Sequence, residues 1–134
     1  MLKNFLIGIP VRNFKNPMSR LGGILTVEER VQLSKGMLKN IVKSFENEDT
    51  KIVCISNDPL VLDYCKNNEI ETFSSNKKGL NSELEEFLHS YEYEYWTICH
   101  ADLPYLNNFY AQEWIKECRS SEIGIRTRKF NTFG

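Results

Sequence analysis

The chain has 134 residues, 41% of them hydrophobic and 12% aromatic, which suits one compact domain over residues 1–134 at the modest end for an enzyme. Its 17 basic and 18 acidic residues leave a formal net charge of −1, which argues against a protein that coats nucleic acid or an acidic membrane surface. Any anion site must therefore be local.

No stretch approaches the ~20 apolar residues of a membrane span, and the N-terminal run is too short and too soon interrupted for a signal peptide. Cys54, Cys65, Cys99 and Cys118 lie far apart with no CxxC pair, so buried free thiols in a cytoplasmic protein are expected.

Residues 5–9, FLIGI, form a short apolar run bounded by polar residues and a proline, which predicts a buried strand. The segment IPVRNFKNPMSRLGG follows, with Arg12, Lys15 and Arg20 beside Ser19 and the flexible Gly22-Gly23. A loop leaving the carboxyl end of a strand can aim such cations and its backbone N–H groups at a polyphosphate. It is neither the GxxxxGK[ST] nor the GxGxxG pattern, so solvated surface charge is the competing reading. At Thr26, TVEE is a capping box, and Val27, Val31, Met37, Leu38, Ile41, Val42 and Phe45 follow at the spacing of a long amphipathic helix.

KIVCIS predicts a second strand, after which Asp58 caps a helix carrying Pro59 in its first turn. IETF predicts a third strand, SSNKKGLN a polar loop, and SELEEFLHSY a helix capped by Asn81 or Ser82. KKGLN reads either as a glycine turn that brings backbone close to a nucleobase, with Asn81 bonding it, or simply as a loop and an N-cap. The cluster YEYEYW alternates acids and rings like the two faces of a strand, and reads as core plus solvent face rather than as a base-stacking platform.

YWTICHAD predicts a fourth strand, broken by Leu103 and Pro104; Asn107 or Asn108 then starts a helix through FYAQEWIKECR, and EIGI predicts a fifth strand. Asp102, directly after an apolar strand end, either offers a hard carboxylate oxygen to Mg²⁺ or caps the next turn. His100, at a strand terminus, reads as a packed or hydrogen-bonded group, and His89 as a helix-surface residue; neither is given a catalytic role. Strands alternating with helices imply parallel pairing, right-handed crossovers and a doubly wound α/β sheet. Ligands of such sheets bind at strand carboxyl ends, here the loops after FLIGI, IVCIS and YWTICH.

Taken in order, the IPVR strand end, SRL, the TVEER entry to the first helix, SNDPLVL, GLN and ADLP resemble the 2-phospho-L-lactate guanylyltransferases of coenzyme F420 biosynthesis, from about Phe5 to Leu106. The resemblance implies a mostly parallel, Rossmann-like nucleotide-diphospho-sugar transferase fold of the molybdopterin-guanylyltransferase type, incomplete at its C-terminal end. It implies transfer of GMP from GTP to 2-phospho-L-lactate, or to phosphoenolpyruvate or a phosphoglycerate, with Mg²⁺ and release of pyrophosphate. Carried over by position, Pro10, Val11, Arg12, Lys15, Ser19, Arg20, Asp58, Gly79, Leu80 and Asn81 would meet the nucleotide. Arg12, Arg20 and Asp102 would carry catalysis, with Asp102 as metal ligand.

Three positions depart from the family pattern: Arg12 stands for a usual lysine, Met18 replaces a lysine ahead of Ser19-Arg20, and His100 stands for a usual proline. The family also continues beyond KFNTFG into a Gly-Thr-rich segment, further strands, a second acidic metal ligand and, in relatives, a homodimer interface, together roughly a third of a usual chain. A truncated nucleotide-binding domain without turnover is therefore one alternative. A molybdenum-cofactor nucleotidyltransferase is another, although its GGxSxRMGxxK loop is not what RNFKNPMSRLGG offers. The implied partners are GTP and a small phospho-acid, with neither nucleic acid nor membrane.

Overall fold

The computed structural model describes residues 4–101 and 108–120. Among them, β1 (Phe5–Pro10), β2 (Thr50–Ile55), β3 (Glu71–Phe73) and β4 (Tyr95–Ile98) form a parallel sheet in the order β3-β2-β1-β4. The helices are α1 (Val27–Phe45), α2 (Pro59–Asn67), α3 (Leu80–His89) and α4 (Asn108–Ser120), with a short 3-10 turn at Ser19–Leu21.

Strand alternation divides the core in two. Phe5, Ile7 and Ile9 of β1 join α1, α2 and α4 through Leu38, Ile41, Phe45, Val61, Cys65 and Ile115. Leu6 belongs to the opposite cluster, with Leu84, Phe87 and Leu88 of α3. A central parallel strand buried on both faces reads as a near-continuous apolar run for this reason. The chain steps from β1 to β2 to β3 in one direction and then crosses back to β4, so right-handed connections require α3 on the other face from α1 and α2. Close packing there depends on Gly8, since a Cβ at that position would lie 2.7 Å from Phe87 Cε2.

Two local signals act as the sequence predicts. Thr26 Oγ1 accepts from the Glu29 N–H at 3.1 Å while the Thr26 N–H donates to Glu29 Oε1 at 2.9 Å. Asp58 Oδ2 accepts from the Val61 N–H at 3.2 Å and caps α2.

Other expectations are corrected. β4 ends at Ile98 rather than running to Asp102. The N–H groups of Phe5 and Val11 face the β2 side, bonding Asp49 O and Ile55 O. The even-numbered β1 positions face β4, and there Pro10 has no N–H with which to extend the ladder past Gly8↔Ile98. The third helix is capped by neither Asn81 nor Ser82. It begins at Leu80 with Gly79 as N-cap at φ +94°, a backbone turn open to glycine, and no side chain caps it.

Of YEYEYW, only Tyr95 and Trp96 are in a strand. Tyr91, Tyr93 and Trp96 pack on the α3 side and Tyr95 on the other, so the rings do serve the core. All four cysteines are free and buried. No described helix is long and apolar enough to cross a membrane. The EIGI segment lies outside the described residues.

Candidate functional site

A cleft of about 530 Å³ opens at the carboxyl edge of the sheet. Its walls are Pro10, Val11 and Arg12 from β1 and beyond, Ile55, Ser56 and Asn57 from the end of β2, Gly79, Leu80 and Glu83 from the start of α3, and His100 after β4. β1 stands between β2 and β4, where the strand order turns back. In an open α/β sheet the crevice outside such a switch point is the place for a ligand.

The basic loop after β1 is pinned from beneath. Phe14, 3% exposed, packs into the core edge-on to Tyr64 with ring centroids 5.6 Å apart. The Phe14 N–H donates to Asp58 Oδ2 at 3.2 Å, so Asp58 holds both this loop and the first turn of α2. Arg30 of α1, 6% exposed, donates from Nη1 to Asn16 Oδ1 at 2.6 Å and to the Pro17 carbonyl at 3.0 Å. Phe14 and Pro17 are both buried; Arg12, Lys15, Ser19 and Arg20 are all exposed, and of these four Arg12 lines the cleft while the others do not.

The loop ahead of α3 is held by polar bonds. Asn57 Nδ2 donates to the Ser75 carbonyl at 2.8 Å, and the Ser75 N–H donates back to Asn57 Oδ1 at 3.0 Å. Ser75 Oγ donates to Glu86 Oε2 at 2.7 Å and accepts from the Lys77 N–H at 3.0 Å. These bonds set Gly79 and Leu80 against the end of β2.

They also consume much of the cleft's polar inventory. The Asn57 amide is committed to Ser75, and Ser56 Oγ accepts from the Asp58 N–H at 3.1 Å. Arg12, Glu83 and His100 remain as cleft side chains with no hydrogen-bond partner among the described residues. His100 Nε2 is shielded from solvent and has no partner among the described residues.

Of the expected nucleotide contacts, Pro10, Val11, Arg12, Gly79 and Leu80 therefore meet in one place. Asp58 acts as the pin behind them, Asn81 is exposed on α3, and Asp102 lies outside the described residues. Ser56, Asn57, Glu83 and His100 were not expected. Ser56 and Asn57 follow a strand's carboxyl end directly, a signal as good as the one that singled out Asp58. Glu83 stands about one helical turn after Gly79, which sequence spacing alone shows. A lone histidine carries no such signal.

Among the described residues, no three His, Cys, Asp or Glu side chains gather as a cation site. Mg²⁺ does not require such a cage beside a nucleotide, because one or two carboxylates plus substrate phosphates suffice. The chain passes through the cleft wall at His100, two residues before Asp102 in the sequence.

Sheet order and cleft together define a Rossmann-like, doubly wound α/β fold with its ligand crevice at the switch point. A crystal structure from Desulfovibrio desulfuricans G20, of a protein provisionally assigned as a nucleotide-diphospho-sugar transferase, superposes with a TM-score of 0.68 at 12% identity, over 84% of this chain and 53% of that one. Residues 5–127 match the family described as Guanylyl transferase CofC like, and the chain belongs to that family. It is similar to the 2-phospho-L-lactate guanylyltransferase of Methanocaldococcus jannaschii, 31% identical over 118 residues, 87% of this chain and 52% of that protein. The enzyme of the same description from Methanocaldococcus infernus is 34% identical over 105 residues, 78% and 47% of the two chains. The chain thus spans about half the length of the curated relatives it matches, less than the two thirds expected from the resemblance.

Proposed function

We propose that this chain carries the nucleotide-binding part of a cytoplasmic guanylyltransferase that transfers GMP from GTP to 2-phospho-L-lactate, or to phosphoenolpyruvate or a phosphoglycerate, and releases pyrophosphate. The observation that supports it best is the meeting of Pro10–Arg12 with Gly79–Leu80 in one cleft, in a chain of this family. In this reaction a phosphate oxygen of the acceptor attacks the α-phosphorus of GTP as the bond to pyrophosphate breaks. Such chemistry asks the protein mainly for positioning and charge neutralisation.

Arg12 supplies a planar guanidinium for a bidentate phosphate contact. Gly79 lets the backbone approach the nucleoside, and Lys15, Ser19 and Arg20, on the outer part of the same loop, meet the far end of the triphosphate. Asp58 keeps that loop in place through Phe14. Asp102 would hold Mg²⁺, which when bound would supply positive charge to offset that of the triphosphate.

Incubation with GTP, Mg²⁺ and each phospho-acid while pyrophosphate is followed tests the proposal. Release dependent on one acceptor is expected; failure to bind GTP overturns it. Arg12→Ala is expected to weaken GTP binding by about 1.5–3 kcal/mol, measured by calorimetric titration. The half-length match to the relatives favours a second reading, a nucleotide-binding unit whose turnover needs the remainder of the enzyme. GTP binding without pyrophosphate release selects it.

A further inference from the structure

Resting on that GTP reading, we infer that Glu83 selects the base, its carboxylate accepting hydrogen bonds from the N1–H and N2–H₂ edge of guanine. Arg12 and Glu83 are cleft side chains of opposite charge, and neither has a partner among the described residues. A triphosphate is drawn to the first and repelled by the second, so the nucleotide lies with its phosphates toward the β1 loop and its uncharged end toward α3. Of the polar side chains at the end of β2, the Asn57 amide is bonded to Ser75 through both its nitrogen and its oxygen, and Ser56 Oγ accepts from the Asp58 N–H, so Glu83 is the ionised acceptor that α3 itself offers the cleft.

An ionised carboxylate only accepts hydrogen bonds. Guanine presents two N–H donors side by side on its Watson–Crick edge, whereas adenine and cytosine each present a donor beside an acceptor. Glu83 therefore meets two donors on guanine and faces a lone pair on either of the others. As a first-turn acid it also favours the positive end of α3, which no side chain caps. That stabilising role does not require the side chain to line a ligand cleft, and it predicts no preference among bases.

The experiment compares nucleotide affinities by calorimetric titration. For the wild-type protein, inosine triphosphate, which lacks the N2 amine, is expected to bind roughly tenfold more weakly than GTP, and ATP more weakly still. For Glu83→Gln, the amide N–H opposes the guanine amine but suits the 2-carbonyl of xanthine. Its GTP affinity is expected to fall roughly 10- to 100-fold while its ratio of xanthosine triphosphate to GTP affinity rises. Equal wild-type affinities for GTP and inosine triphosphate, or an unchanged xanthosine-to-guanosine ratio in a folded Glu83→Gln, overturn the assignment and leave the GTP reading standing. A wild-type protein that binds no GTP removes the reading itself. The inosine comparison needs no variant and so does not depend on one folding.

Discussion

The loop after β1 buries two of its own side chains, Phe14 and Pro17, and is bonded from beneath by Asp58 and Arg30, whereas the loop ahead of α3 is fastened mainly by what it bonds, through Asn57, Ser75 and Glu86. Burial of a ring contributes much stability with little directional demand. A chain of side-chain hydrogen bonds contributes less to stability but fixes position closely, because each partner must be met at its own angle. One cleft thus has a wall that resists unfolding and a wall that resists displacement.

Substitutions separate the two. Phe14→Ala is expected to cost about 3–5 kcal/mol in urea unfolding, the largest effect of the set. A cost below 1 kcal/mol breaks the comparison, since the loop would not then be held by its ring. Gly79→Ala is expected to cost about 1–3 kcal/mol because φ +94° strains any residue with a Cβ, and to weaken GTP binding at the same time. Ser75→Ala is expected to cost only about 1 kcal/mol of stability yet to weaken GTP binding about tenfold, as Gly79 and Leu80 lose their register. Equal small losses in both measurements would make the polar network merely structural.

Tyr91 provides the smallest effect and a control away from the cleft. Burial first, and then its 3.1 Å hydrogen bond to Glu71, push its phenol up from the usual 10 to about 12. The folded state therefore keeps a proton that the unfolded chain loses near pH 10. Its contribution is intact below pH 10 and is lost as pH rises from about 10 to about 12. Tyr91→Phe is expected to flatten that part of an alkaline unfolding curve and to leave GTP affinity unchanged.

The capping box at Thr26 and the cap at Asp58 were legible because each is encoded within four residues, and the alternation of apolar strands with helices implied the parallel sheet. Asp58 also shows where such reading stops. Its bond to the Val61 N–H is local, but its bond to the Phe14 N–H joins residues far apart in the chain, and no periodicity announces it. Arg30 was missed for the same reason. On α1 it reads as one more charged helical residue, whereas in the fold it is buried against Asn16 and Pro17.

By itself the sequence determined the order of the described strands and helices, the caps at Thr26 and Asp58, and the family, because these rest on short-range spacing and on residue order. Only the tertiary structure decided which cation of the basic loop lines the cleft, that Glu83 and His100 line it too, and that Asp58 serves as a pin. Those outcomes depend on which side chains the core swallows, and the core is assembled from strands and helices that touch only after the chain has folded.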